Sequence, residues 1–175
     1  NQHHNENRKR FKVRLRKYSS KSKPFFEIKI KNNKNRTVKK RLLVNEMSKR
    51  LGRQEKNLIS EMINLPSSQL SSMLNMQFYR ITLADKGFNE RLTIDTNLSV
   101  LNGTSSKMFD QLVISEIKQE KYNPKSDFIQ ILRKLKIPEM RFSKYCMGML
   151  HINEGIKYNR FKPKLLQINK ILTQA

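Results

Sequence analysis

The chain has 175 residues, with 37 Lys and Arg against 14 Asp and Glu, for a formal charge of +23. A field of that sign attracts polyanions of some kind, whether nucleic acid, acidic lipid headgroups or phosphate polymers. Its one cysteine, Cys146, excludes an internal disulfide and any multi-cysteine zinc site, and there is no apolar run of about 18 residues to cross a bilayer as a helix. A hydrophobic fraction of 37% supports one domain with a lean core. The cysteine usage and the lack of a secretory signal pattern lead us to expect a cytoplasmic or cytosol-facing protein.

Residues 1–10 read as a polar lead-in and 11–175 as a single domain. Lys12 to Tyr18 alternate strictly, as a strand does. Ser19 to Pro24 supply a turn. Phe25 to Lys31 alternate again, with Phe26, Ile28 and Ile30 on one face and Glu27, Lys29 and Lys31 on the other. After a hairpin over 32–35, residues 36–44 form a third strand. Residues 46–64 predict a helix, with Leu51, Leu58, Ile59, Met62 and Ile63 as its stripe and Pro66 beyond its end. A second meander follows, with strands over 76–84 and 89–97 joined at Asp85-Lys86-Gly87, a polar loop over 99–107 and a sixth strand over 109–119. Helices are expected over 127–135, from the N-cap Ser143 to Leu150, and over 164–173, the last one basic and amphipathic. Tyr18, Tyr79, Tyr145 and Tyr158 read as core tyrosines, the methionines as core filler, and Cys146 as a small buried hydrophobe.

The charges fall on particular faces. Four of the six strands carry long charged side chains at two-residue spacing: Lys12/Arg14/Arg16, Glu27/Lys29/Lys31, Lys39/Arg41 and Glu116/Lys118. Arg91 and Asp95 share a face of a fifth strand, and Arg80 ends the alternating run Met76/Phe78/Arg80 on the other. For any single strand a solvated face explains this. For the whole set it does not, because like charges on neighbouring strands repel. An enclosed channel of Arg and Lys would hold a phosphate chain by many charge-assisted hydrogen bonds. The scarce carboxylates then become candidate ligands for a hard divalent cation, which takes oxygen donors and bridges to phosphates.

The segments Lys12-Val-Arg-Leu-Arg-Lys-Tyr18, Phe26-Glu-Ile-Lys29, Thr37-Val-Lys-Lys-Arg41, Arg91-Leu-Thr-Ile-Asp95, Ser115-Glu-Ile-Lys118 and Phe142-Ser-Lys-Tyr145 stand in the order they take in the VTC domain. Each is common alone; six in order are specific. From about residue 8 to 165 the chain resembles the VTC-type polyphosphate polymerases, a branch of the triphosphate tunnel metalloenzymes (the CYTH-like superfamily). The resemblance implies an α+β fold, an antiparallel β tunnel with helices packed outside. It also implies transfer of the terminal phosphate of ATP to a growing inorganic polyphosphate, with Mn2+ or Mg2+. By position, Arg14, Arg16, Lys29, Lys39, Arg80 and Arg91 match the phosphate-contacting catalytic residues. Ser143 and Lys144 match a phosphate-binding pair, Glu116 matches the metal-holding carboxylate, and Lys118, Arg41 and Asp95 also fall in family motifs. ATP and polyphosphate are the implied partners; a membrane-protein partner stays open and no nucleic acid is expected. The alternatives are a triphosphatase or a polyphosphate sensor of the same fold, or a basic nucleic-acid-binding module. A closed tunnel takes about eight strands, and six are legible, so the resemblance puts the family's first strands upstream of Asn1.

Overall fold

The computed structural model describes residues 10–34, 36–48, 50–63, 65–103, 105–153 and 155–173. The polar lead-in expected over 1–10 lies outside these residues except for Arg10, which opens the first strand. The chain divides into two compact units, Asn1–Met73 and Leu74–Ala175.

In the first unit, β1 (Arg10–Arg16), β2 (Phe25–Lys31) and β3 (Thr37–Leu43) form an antiparallel sheet in that order. Local hydrogen bonds set both turns. The Ser22 hydroxyl accepts from the Tyr18 and Ser19 backbone N–H groups, and Asn32 Oδ1 accepts from the Arg36 N–H. The register puts Val13 opposite Ile28, and Phe26 between Leu15 and Leu42. That apolar face packs on α1 (Arg53–Ile63), so that Phe26, Ile28, Val44 and Ile59 are buried with Leu58 and Met62 beside them. The helix expected from residue 46 begins at Arg53. The Gly52 carbonyl takes the first helical hydrogen bond, from Lys56 N–H at 3.1 Å, and the described residues 46–48 and 50–52 are not helical.

The second unit is built on one long strand, β5 (Glu90–Asn102). Along one side it pairs with β4 (Asn75–Ala84); along the other, with β6 (Ser105–Phe109) near its end and β7 (Ile114–Gln119) near its start. Between Gln77 and Tyr79 the register shifts: Gln77 faces Ser99 and Tyr79 faces Thr96, leaving one extra residue on β5. Asn97, at φ 52°, lies in this bulge, and asparagine tolerates the left-handed region better than most residues. Three helices follow, α2 (Asp127–Lys134), α3 (Lys144–Ile152) and α4 (Lys162–Thr173). Their core gathers Leu98, Val100, Phe109, Leu112, Met147 and Ile168.

The α+β class holds, as two antiparallel sheets and four helices. Among the described residues no pairing closes either sheet into a barrel. The sixth strand expected over 109–119 begins only at Ile114, after a turn over 110–113, and the polar loop expected over 99–107 is a hairpin of β5 and β6. Gly103, at φ 58°, follows the Asn102–Ser105 pair that ends the ladder and lies in the turn from β5 back into β6. The tyrosines expected in the core are exposed, Tyr79 at 73%, and so are Met47, Met73 and Met76, whereas Met147 and Cys146 are buried. None of the described helices is long and apolar enough to cross a membrane.

Gly148 lets α3 approach the sheet. A Cβ there would lie 2.8 Å from both Leu74 Cδ2 and Val100 Cγ1. Gly148→Ala is expected to destabilise by roughly 1–2 kcal/mol despite alanine's better helix propensity, because the overpacking outweighs it. Urea denaturation checks this; a more stable variant would show that α3 can move away.

Candidate functional site

In the first unit the sheet face opposite α1 carries the charge. Cross-strand rows on it read Arg10–Lys31–Thr37, Lys12–Lys29–Lys39, Arg14–Glu27–Arg41 and Arg16–Phe25–Leu43. Glu27 is the one acid in these rows, and it is only 2% exposed. Arg14 donates from Nε to Glu27 Oε2 at 2.7 Å, with Nη2 also at 2.7 Å. Arg41 approaches Oε1 with both Nε and Nη2 at 2.8 Å. Lys39 Nζ lies 3.5 Å from Oε1, and Arg16 Nη2 lies 3.8 Å from Oε2. Burial alone would raise the Glu27 pKa. The Arg14 hydrogen bond, the charges of Arg14 and Arg16, and the Arg41 hydrogen bond outweigh it and lower the value to about 2.

Aromatic rings brace two of these cations. The Arg16 Nη1 donates to the Tyr18 hydroxyl at 2.8 Å, and the Arg41 guanidinium stands 4.7 Å from the Phe25 ring centroid.

In the second unit a smaller cluster repeats the pattern. Arg80 faces Asp95 across β4 and β5 and grips it with two parallel bonds, Nε to Oδ1 at 2.6 Å and Nη2 to Oδ2 at 2.7 Å. Lys144 Nζ reaches Oδ2 at 2.5 Å from the start of α3. Ser143 caps that helix, its hydroxyl accepting from Cys146 N–H at 3.4 Å. Phe78 lies beneath both cations, with Arg80 at 5.2 Å and Lys144 at 5.0 Å from its ring centroid. Asp95 is 2% exposed. Burial pushes its pKa up, but the hydrogen bonds from Arg80 and Lys144 and their charges hold it below the ordinary value.

The remaining residues singled out from the sequence lie along the same strands. Arg91 faces Lys118 and Thr93 faces Glu116 across β5 and β7, so Arg91, Thr93 and Asp95 share one face. Glu116 is half-exposed and pairs with Lys118 at 3.2 Å. Among the described residues no group of three His, Cys, Asp or Glu is placed to hold a metal ion. A single exposed carboxylate fits a cation that keeps most of its waters and takes its other oxygens from phosphates. It does not make a site complete in protein ligands. Between Asp95 and Arg91, the Thr93 hydroxyl is buried without a hydrogen-bond partner. Thr93→Val, which removes that orphan, is expected to raise stability by about 1 kcal/mol in thermal or urea unfolding; a loss would mean the hydroxyl is satisfied in solution.

The first unit thus gathers Arg14, Arg16, Lys39 and Arg41 around one carboxylate and sets Lys29 in the neighbouring row. The second unit gathers Arg80 and Lys144, with Ser143 beside them, and places Arg91, Glu116 and Lys118 further along the sheet. From the sequence Glu27 stood only among the scarce carboxylates open to a metal, not as the centre of a cation cluster. Its signal was available: a lone acid on a face of cations.

No curated protein and no solved structure matches the chain. A family model described as the VTC domain matches residues 1–153, and with that extent of agreement the chain belongs to the VTC domain family, a membership consistent with a polyphosphate-related function.

Proposed function

We propose that the chain grips linear phosphate chains on its cation-bearing sheet faces and moves the terminal phosphate of ATP onto inorganic polyphosphate. One observation carries this reading. Eight cations from three strands stand on one sheet face with a single carboxylate, Glu27, among them. Arg14, Arg16, Lys39 and Arg41 converge on Glu27, and one carboxylate cannot neutralise four cations, whereas a polyanion can.

Phosphoryl transfer asks a protein for in-line positioning and charge neutralisation rather than covalent chemistry. In this reading Arg14, Arg16, Lys29 and Lys39 of the first unit, with Arg80 and Arg91 of the second, supply that charge. Arginine serves where a forked grip helps, and lysine where a point charge suffices. Ser143 and Lys144 at the start of α3 bind a further phosphate, with Arg41 and Lys118 as supporting cations. A Mn2+ or Mg2+ ion held at Glu116 would withdraw charge from phosphate oxygens. ATP as donor goes with a cytosol-facing location.

Incubation with ATP and Mn2+, with long polymer resolved from free phosphate, tests the reading. Long polymer is the expected product. Orthophosphate alone would indicate a triphosphatase, and binding without turnover a sensor. Glu116→Ala is expected to reduce synthesis on the order of 10–100-fold, judging by what loss of a metal-site group generally costs. Its fold should persist, because the side chain is half-exposed with Lys118 as its ion-pair partner. Undiminished synthesis would contradict the metal assignment.

A further inference from the structure

The last helix presents an outer face that the cation clusters leave unused. From residue 155 to 175 the sequence carries Lys157, Arg160, Lys162, Lys164 and Lys170 and no Asp or Glu. This segment lies past residue 153, where the family match ends. On α4, Leu165, Ile168 and Leu172 turn inward and join the core of the second unit. Lys162, Leu166 and Lys170 follow one another at four-residue spacing, which stacks them on a different face, and all three are exposed, Leu166 at 61%. We propose that this face docks on an anionic membrane surface, with the lysines among the lipid headgroups and Leu166 at the acyl boundary. The docking is peripheral, because a helix of 12 residues is too short to span a bilayer. It is independent of the phosphate-chain reading above.

Charge complementarity selects the partner. Among the described residues, the second unit pairs Arg80 with Asp95, Lys118 with Glu116 and Lys144 with Asp95, and none of these ion pairs uses an α4 lysine. Lys162 and Lys164 also stand in the first turn, where the helix dipole disfavours cations, and an anionic surface offsets that cost. A second copy of a chain carrying +23 is repelled. The leucine then separates one polyanion from another. A soluble phosphate chain offers nothing to an exposed Leu166 between two lysines, whereas acyl chains do. Residues 162–173 include no aromatic ring on which a nucleic-acid base could stack. A basic helix face with an aliphatic side chain in it suits the plane of a lipid interface.

The test measures binding of the full chain to phosphatidylcholine vesicles with and without phosphatidylserine. Strong binding is expected only with phosphatidylserine. Lys162→Gln/Lys170→Gln should weaken it about 30-fold, or roughly fivefold for each basic residue at the surface. Lys86→Gln/Lys121→Gln removes the same charge near the start of β5 and should change binding by no more than about twofold, since distant charges are screened. Leu166→Gln, at unchanged charge, should lose roughly tenfold, as fits partial burial of one leucine. The chain has no tryptophan, so Leu166→Trp reports this face alone. Its fluorescence should shift to the blue with phosphatidylserine vesicles and not with tripolyphosphate or single-stranded RNA. The proposal is overturned if phosphatidylserine vesicles are not bound, if the two double variants lose equally, or if Leu166→Gln binds as the wild type does. The same blue shift with RNA or tripolyphosphate would also overturn it, in favour of a soluble polyanion.

Discussion

Glu27→Gln is expected to lower the unfolding free energy by about 3 kcal/mol at neutral pH, the low end for removing one partner of a buried ion pair. The low end applies because the cations around it stay partly in water: Arg14 is 51% exposed, so solvent screens each pair. The variant keeps the shape of the side chain but turns an amide toward guanidinium groups that need an acceptor. Arg14, Arg16, Lys39 and Arg41 then repel one another without a central anion. The effect has a definite pH signature. The Glu27 pKa drops from 4.5 to about 2 on folding. Its contribution is therefore fully present above about pH 4.5 and disappears as the pH falls through about 2. Urea denaturation of both proteins from pH 7 downward should show the gap narrowing across that window. Added sulfate at pH 7 should also narrow it by supplying the missing anion. A variant as stable as the wild type at pH 7, or a gap that ignores pH, would show that the cluster is solvated and uncoupled.

Asp95→Asn should cost about as much, roughly 3 kcal/mol, for a different reason. Here the damage falls on Lys144, whose side chain is 17% exposed and would remain buried without its anion. Arg80 would lose a bidentate partner at the same time. Because Lys144 opens α3, the loss should also loosen the helix start, although the Ser143 cap remains. Hydrogen exchange should therefore speed up over residues 144–150 more than over α4. Acid works in the same direction on the wild type: the Asp95 pKa is depressed on folding, so its contribution holds above the ordinary carboxylate value and fades as the pH falls below it. Uniform acceleration across the unit, or none, would contradict the role given to the Lys144 contact.

The first two strands of the first unit were legible because they alternate, and the register then stacked the predicted charged residues of all three into rows. Ser143 was legible as an N-cap for the same local reason, a hydroxyl before an apolar helical run. β6 was not. Ser105, Ser106 and Lys107 are exposed polar residues on an edge, and nothing in their composition separates such a strand from a loop. The Asn97 bulge was also invisible, since it depends on how β5 must serve two partners along one side. It is what allows Leu98 and Val100 to enter the core while Asp95 faces Arg80. Glu27 and Asp95 were readable as residues but not as buried anchors. Burial arises from cations on neighbouring strands, at sequence separations of 13 to 15 for Arg14, Arg41 and Arg80, and only pairing brings those together.

Equilibrium binding of long-chain polyphosphate, followed against salt for the wild type and for Arg14→Ala/Arg16→Ala, tests the central claim most directly. The account predicts tight, strongly salt-dependent binding by the wild type, with a markedly weaker and shallower dependence in the variant. Equal affinity and equal slope in the two proteins would contradict it, because the polyanion would then be held somewhere other than on this face.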